Sequence, residues 1–195
     1  FSGGGLVFLG GLIGGLLAVT YVIKKNKLKW LLVADLVAPL LILGYAIGRV
    51  GCLLVGDDYG LPTDAPWGIS FPNGIPPSTY SVFQSRYPWV DLSGFSPGVL
   101  KVHPTQIYEI FLGSGIFYYL YQKRLSIQIQ GSLFFTYLIL AGIERFAVEF
   151  LRINQKYLIG LSGAQIISII MMSAGLWFLY NPVSSTKGNA LKENK

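Results

Sequence analysis

The 195-residue sequence contains very little cysteine, histidine and charge. Cys52 is the only cysteine, which excludes an internal disulfide and any metal site built from several cysteines. His103 is the only histidine, so a mixed histidine and cysteine zinc site is not expected either. Charged residues make up 12% of the chain, whereas about a quarter is usual in a soluble domain. We therefore expect neither a bound metal nor another cofactor, and not a soluble protein.

Long apolar runs dominate the sequence instead. Five of them, at 3–23, 30–55, 104–121, 131–151 and 157–180, reach about the 17 to 25 residues that a helix needs to cross a bilayer. The sequence therefore predicts an all-α membrane protein with about five transmembrane helices in a domain at 1–180. A small extracytoplasmic lobe at 57–103, rich in proline, glycine, serine and aromatic residues, is predicted between spans two and three. A polar cytoplasmic tail is predicted at 181–195.

The positions of the basic residues predict the orientation. The net charge of +6 does not indicate nucleic-acid binding, because nine of the fifteen lysines and arginines follow spans one and three or lie in the tail. By the positive-inside rule these segments are cytoplasmic, which places residues 57–103 outside. The chain begins with Phe1 and has no basic segment before a short apolar one, so the start resembles neither a signal peptide nor a native N-terminus. We expect further sequence upstream.

Ionisable side chains within the predicted spans are candidates for function, because each costs about 2.5 to 3.5 kcal/mol on insertion scales. They are Asp35, Arg49, Glu109, Glu144, Arg145 and Glu149. Arg145, Glu149 and Arg152 share one helix face through their i, i+4, i+7 spacing. One interpretation is a buried ion pair that only fixes helix packing. The other is that Arg49 and Arg145 offer paired donors to a phosphodiester, for which a lipid headgroup is the nearest ligand.

Two further stretches adjoin these charges. In "GRVGCLLVGDDYG" we expect Gly51 and Gly56 to allow close backbone approach beside Arg49, with a polar rim formed by Asp57, Asp58 and Tyr59. In "HPTQIYE", Pro104 fits the first helical position, so His103 is expected just outside the helix. His103 is interpreted either as a proton acceptor near neutral pH or as a capping, hydrogen-bonding histidine. Gln106 and Glu109 lie roughly on one side of that helix.

These stretches, with an upstream Asp and Ala-Pro, "PWGISFPNG" and "RFAVEFLR", have the order and spacing of bacterial prolipoprotein diacylglyceryl transferases, which the chain resembles over nearly all of 1–180. The resemblance implies transfer of a diacylglyceryl group from phosphatidylglycerol to the lipobox cysteine of preprolipoproteins, at the outer face of the inner membrane. It also implies a seven-span fold, whose first two helices and outer arm are absent here. We expect those helices upstream on this chain or on a separate protein subunit.

The resemblance also implies roles for individual residues. Arg49 and Arg145 match arginines of the family motifs and are expected to bind and polarise the phosphate, while Glu149 orients Arg145. His103 is the expected proton acceptor. The residues expected to bind the substrate or lipid are Arg49, Gly51, Gly56, Asp57, Tyr59, Gln106, Tyr108, Glu109, Arg145 and Arg152.

Three positions depart from the family pattern. Cys52 replaces a usual Asn, Asp57 a usual Glu, and Leu9 a usual His or Tyr. Leucine neither accepts a proton nor donates a hydrogen bond, so Leu9 favours an alternative: a non-catalytic family member that binds a phospholipid or lipoprotein as a subunit of a membrane assembly. A transporter is the third interpretation, but the chain lacks the repeated halves that are typical of carriers.

Overall fold

The computed structural model of the chain describes residues 3–126, 129–156 and 160–182, except for the side chains of residues 3–9 and 12. Within this part, five long helices and one short helix form. They are α1 (Gly3–Lys25), α2 (Trp30–Val55), α3 (Tyr80–Arg86), α4 (Thr105–Lys123), α5 (Ser132–Val148) and α6 (Gly163–Tyr180). A 3-10 turn, Glu149–Leu151, follows α5 directly. The regular structure of the described residues is therefore all-α, with α3 lying in the lobe between α2 and α4.

Each long helix overlaps one of the five predicted spans, although α5 ends before residue 151 and α6 begins after residue 157. The helices differ in how apolar they are. By length and composition, two helices of the described residues, Trp30–Val55 and Gly163–Tyr180, are able to cross a membrane. Helix α5 has only 17 residues, and α4 carries Gln106, Glu109 and several tyrosines along its length. The helix positions match the prediction, while composition alone supports two spans. The predicted tail at 181–195 lies outside the described residues from 183 onward.

Small residues let α5 and α6 pack closely. A Cβ atom added to Gly142 would lie 2.8 Å from the Met172 side chain, and one added to Gly175 would lie 2.7 Å from the Phe135 carbonyl oxygen. Such contacts are what small residues permit between helices in lipid. Helix α1 is also rich in glycine, but the described residues show no such contacts there. The described residues place nothing within 4 Å of a Cβ at Gly10, Gly11, Gly14 or Gly15.

Asp35 on α2 has a structural role at the start of α5. Its side chain is buried and accepts hydrogen bonds from the backbone N–H groups of Gly131, at 2.6 Å, and Phe134, at 2.9 Å. These N–H groups have no partner within their own helix, so the carboxylate serves as an N-cap from a neighbouring helix. The same contact places a negative charge at the positive end of α5. Asp35 thereby holds the starts of α2 and α5 together at one end of the bundle.

Replacement of Asp35 by alanine is expected to lower the free energy of unfolding by about 1 to 2 kcal/mol, the usual cost of losing an N-cap. Thermal unfolding of the purified chain in detergent measures this. Asp35→Asn is the matched control, because it keeps one oxygen acceptor and should cost less than the alanine variant. An alanine variant as stable as the parent chain would contradict the capping role.

The lobe between α2 and α4 has its own small core and is attached to the chain after α5. Its core is formed by Tyr59, Phe83, Leu100, Val102 and Ile153. The lobe consists of turns, α3 and isolated bridges rather than full strands in the described residues. Gly60 pairs with Arg152, and a Cβ at Gly60 would collide with the Leu151 carbonyl oxygen. This close approach brings Arg152 beside the end of α2.

Candidate functional site

Glu109, near the start of α4, is the centre of a buried ionic cluster. Its side chain is fully buried, and Oε2 lies 3.2 Å from Nε of Arg49 on α2. Oε1 lies 3.0 Å from Nη1 of Arg145 on α5, and 3.5 Å from Nη1 of Arg152. Three guanidinium groups from three parts of the fold therefore meet at one carboxylate.

Asp58 is the second anion of this cluster. Its Oδ2 lies 2.8 Å from Arg49 Nη1, and its Oδ1 lies 2.9 Å from Arg152 Nη2. Asp58 follows α2 in a left-handed turn, with a φ of 57°. Partial burial raises the pKa of the Asp58 carboxyl, but the guanidinium groups of Arg152 and Arg49 lower it by more, so the pKa lies below its ordinary value. Asp58 is therefore ionised at neutral pH and holds both arginines.

Glu149 is the third anion of the cluster, and a residue at the start of α6 donates a hydrogen bond to it. Its Oε2 lies 2.9 Å from Nη2 of Arg145. Its Oε1 accepts hydrogen bonds from the Ser162 hydroxyl, at 2.6 Å, and from the Asn154 amide, at 2.7 Å. Ser162 is also the N-cap of α6. The orientation of Arg145 thus depends on how α6 begins. We call Arg49, Arg145, Arg152, Asp58, Glu109 and Glu149 the arginine cluster.

The three guanidinium groups differ in how far they are accessible. The side chain of Arg145 is 24% exposed, that of Arg49 16% and that of Arg152 7%. A planar guanidinium presents paired N–H donors that match the oxygens of a phosphate. Arg145 and Arg49 are therefore the arginines of the cluster best placed to contact an anion from outside. Arg152 is nearly buried and forms ion pairs with Asp58 and Glu109.

A cavity of about 420 Å³ adjoins the cluster on the side of the lobe. Asp58 and Arg152 of the cluster line it, together with Tyr87 and Trp89 of the lobe. The Trp89 indole N–H donates to the carbonyl of Ile153 at 2.7 Å. The lobe and the segment after α5 therefore line this open cavity together.

Two further polar side chains of the helices reach the cluster. The Tyr45 hydroxyl on α2 donates to Glu109 Oε1 at 2.8 Å and lies 3.4 Å from Glu144 Oε1 on α5. The ring of Tyr45 also packs against Arg49, whose guanidinium carbon is 5.0 Å from the ring centroid. The site residues expected from the sequence include neither Tyr45 nor Glu144, although Glu144 is among the candidate ionisable residues of the spans.

The structure does not bring His103 to the arginines. Its Nδ1 lies 3.3 Å from the Tyr108 hydroxyl, which in turn accepts a hydrogen bond from the Trp67 indole at 2.8 Å. Its backbone pairs with Gly60 and Leu61 of the lobe. Burial lowers the pKa of His103 below its ordinary value, so the ring is neutral at pH 7. Within the described residues, His103 and Tyr108 form a polar contact on the lobe side, which fits a hydrogen-bonding role for His103. His103 does not cap α4, because the helix begins at Thr105 and its N-cap is Pro104, which was expected at the first helical position.

Gln106 and Asp57 connect α4 to the end of α2. The fully buried Gln106 amide donates to the Asp57 carbonyl at 2.6 Å, and Thr105 donates to the Asp58 carbonyl at 2.9 Å. The carboxylate of Asp57 is not one of the anions that pair with the arginines. Gln106 and Asp57 therefore hold the turn that presents Asp58, and Asp58 rather than Asp57 makes the ion pairs.

The remaining expected residues lie beside the cluster without contacting an arginine through their side chains. Gly56 ends α2 with a φ of 70°, and a Cβ there would lie 3.0 Å from Gly74. Tyr59 is buried in the lobe core, where its hydroxyl donates to the Pro76 carbonyl at 2.8 Å. Gly51 has nothing within 4 Å of a Cβ position, so the expected close backbone approach occurs at Gly56 and not at Gly51.

The candidate metal ligands of this region are unfavourable for a cation. Ligand atoms of Cys52, Asp57 and Asp58 lie within 4.8 Å of one another. Both oxygens of Asp58 already pair with guanidinium groups, whose fixed positive charges would repel a metal ion. We assign no metal to these residues.

Apolar helices around buried arginines and carboxylates are features of membrane-embedded proteins that act on charged groups. The family model of the prolipoprotein diacylglyceryl transferases matches residues 1–181. The chain belongs to this family, whose members are multi-pass membrane proteins of the inner membrane.

Curated relatives support the assignment. The phosphatidylglycerol–prolipoprotein diacylglyceryl transferase of Clostridium tetani is 33% identical over 92% of this chain and 64% of its own length. The protein of the same name from Geobacter sulfurreducens is 34% identical over 89% of this chain and 60% of its own length. That from Clostridioides difficile is 35% identical over 90% and 60%, respectively. The chain thus spans about three fifths of the length of these relatives.

Proposed function

We propose that the chain transfers a diacylglyceryl group from phosphatidylglycerol to the lipobox cysteine of a preprolipoprotein, at the outer face of the bacterial inner membrane. The observation that carries the proposal is the meeting of Arg49, Arg145 and Arg152 at the buried carboxylate of Glu109. Helices that bury charges in an apolar setting do so at a cost. Membership of the diacylglyceryl transferase family supports a role for these buried charges in binding the phosphate ester of phosphatidylglycerol.

The arginine cluster supports this reaction by stabilising the negative charge that develops on the departing phosphate. The thiolate attacks the carbon of the diacylglyceryl group that is bonded to a phosphate oxygen. A C–S bond forms there, and the C–O bond to that oxygen breaks. The electrons of that bond move to the phosphate oxygen, and glycerol phosphate leaves with one more negative charge. Guanidinium donors fixed in place stabilise such charge without reorganising. We assign this role to Arg145 and Arg49, the more exposed arginines of the cluster.

The carboxylates have a supporting role in this proposal. Glu149 fixes Arg145, and Ser162 and Asn154 fix Glu149 in turn. Glu109 and Asp58 hold Arg49 and Arg152 in the same way. Catalytic groups held by such supporting contacts keep their productive geometry.

The same arrangement supports an orientation for the chain. The starts of α2 and α5 meet through Asp35, whereas the cluster forms at the opposite ends of these helices, next to the lobe. Lysines precede α2 and follow α4 at the end away from the cluster. By the positive-inside rule we place the cluster and the lobe at 57–103 outside and the C-terminus in the cytoplasm. The partners are then the membrane lipid and the preprolipoprotein.

The full chain in phosphatidylglycerol vesicles, mixed with a synthetic lipobox peptide, tests the proposal. We expect the peptide to gain the mass of a diacylglyceryl group while glycerol phosphate is released. Vesicles of phosphatidylcholine alone, or a peptide with an alkylated thiol, should give no product. Arg86→Ala, which removes an exposed arginine of α3, should leave the rate unchanged.

One position favours a second candidate function. Leu9 lies in α1 where the family pattern has a histidine or tyrosine, and its side chain is outside the described part of the structure. The alternative is a non-catalytic member that binds a phospholipid or lipoprotein as a subunit of a membrane assembly. Retention of phosphatidylglycerol by the purified chain without any modified peptide would select this alternative.

A further inference from the structure

Glu144 is a buried carboxyl group that the proposed phosphate chemistry does not use. It lies on α5 next to Arg145, and only 5% of its surface is exposed. In the described parts of the chain, no lysine or arginine nitrogen lies within 4.0 Å of its oxygens, unlike those of Glu109 and Glu149. Its hydrogen-bond partner there is the Tyr45 hydroxyl at 3.4 Å. Burying a carboxyl group within a membrane-spanning helix is energetically unfavourable, which makes Glu144 a candidate for function.

The other carboxylates of the site are all engaged in ion pairs. Glu109, Glu149 and Asp58 each contact one or more guanidinium groups at 2.8 to 3.5 Å. Protonation of any of them would remove the charge that holds those arginines. Protonation of Glu144 would break no such ion pair. The transfer reaction requires a proton acceptor, because the thiol of a free cysteine has a pKa near 8.5 and the thiolate is the nucleophile.

Tyr45 lies between Glu144 and the partly exposed guanidinium group of Arg49. It lies one helical turn before Arg49, and its ring is half-buried against that guanidinium. Its hydroxyl donates to Glu109 at 2.8 Å and lies 3.4 Å from Glu144, so rotation about its C–O bond turns the proton from one carboxylate to the other. The groups facing Glu144 are Tyr45 and Arg49 from α2, Glu109 from α4, and Arg145 and Tyr137 on α5 itself, while α6 carries no Asp, Glu, Lys, Arg or His.

We propose that Tyr45 and Glu144 form the relay that removes the proton of the substrate thiol, an inference that rests on the proposed transferase function. The thiol gives its proton to the Tyr45 oxygen as the Tyr45 proton passes to Glu144. The S–H and Tyr45 O–H bonds break, a new Tyr45 O–H bond and a Glu144 O–H bond form, and a thiolate remains. After the C–S bond has formed, Glu144 gives the proton to the departing glycerol phosphate. Tyr45 is the group that contacts the substrate, and Glu144 stores the proton.

Transfer rates of Tyr45→Phe and Glu144→Gln, measured from pH 6 to 10, test the relay. At pH 7 both variants are expected to lose roughly 10²- to 10⁴-fold in rate, the usual contribution of a general base. Both should regain rate as the pH rises past about 8.5, because the thiol then ionises without help. Tyr137→Phe removes a hydroxyl from α5 near Glu144 and should behave as the unmodified chain.

The outcomes separate the relay from the function on which it rests. An unmodified chain that never lipidates the peptide overturns both. An active unmodified chain with a variant of normal rate at pH 7, or with a folded variant that still retains phosphatidylglycerol but regains no rate at alkaline pH, overturns the relay alone. Should Glu144→Gln fail to fold, Tyr45→Phe carries the same expectations by itself.

Discussion

Replacement of Glu109 by alanine is expected to lower the free energy of unfolding by about 3 to 5 kcal/mol and to abolish transfer. Glu109 is fully buried and contacts Arg49, Arg145 and Arg152. Its removal leaves positive charges facing one another in a site from which water is largely excluded. Removing one partner of a buried ion pair typically costs this amount, since the uncompensated charge remains buried. Thermal unfolding in detergent and the lipidation assay measure the two effects.

A matched pair of variants isolates the charge of Glu109. Glu109→Gln keeps the shape of the side chain but not its charge, so it should be destabilised nearly as much as the alanine variant. Asp64→Ala removes an exposed carboxylate of the lobe and should change neither stability nor rate. A Glu109→Gln chain with normal stability would show that the arginines do not depend on this anion.

Replacement of Arg145 by alanine is expected to reduce transfer by roughly 10²- to 10³-fold, the effect of removing one preorganised donor from a charge-stabilising site. Stability should fall less than for Glu109, because Glu109 keeps Arg49 and Arg152 as partners. The site remains occupied by paired charges, while the most exposed guanidinium is gone. The rate of peptide lipidation at saturating phosphatidylglycerol is the measurement.

Arg145→Lys tests whether the paired donors matter beyond the charge. Lysine restores a positive charge but offers a point contact in place of two parallel donors, so it should recover only part of the lost rate. Full activity of Arg145→Ala in vesicles would remove Arg145 from the mechanism. A fall in melting temperature smaller than that of Glu109→Ala, with both variants still folded at the assay temperature, shows that the loss concerns the reaction rather than the fold.

Several members of the arginine cluster could be singled out from the sequence because charge is so scarce in it. Arg49, Glu109 and Arg145 stand out in apolar runs, where each charge needs a partner. The i, i+4 spacing likewise placed Arg145 beside Glu149, as the 2.9 Å distance shows. Asp35 stood out by the same argument, yet it caps α5. The cost of a buried charge indicates that a partner exists, and does not reveal whether the partner is a ligand or a helix end.

Other residues were not predictable because tertiary contacts select them. Which of two adjacent aspartates meets the arginines depends on the left-handed turn at Asp58, with its φ of 57°. A tyrosine in an apolar helix is typical of packing, so nothing in the local pattern distinguishes Tyr45. His103 is next to the helix that carries Glu109, but its direction is set by pairing of its backbone with Gly60 and Leu61.

The balance of charge in the arginine cluster has a consequence for how a headgroup enters. Its three guanidinium groups face the carboxylates Asp58, Glu109 and Glu149, so the cluster projects little long-range attraction into its surroundings. An incoming phosphate gains its contacts at short range, from the exposed parts of Arg145 and Arg49. Occupancy should therefore depend weakly on ionic strength, and shape rather than electrostatic steering should select the lipid.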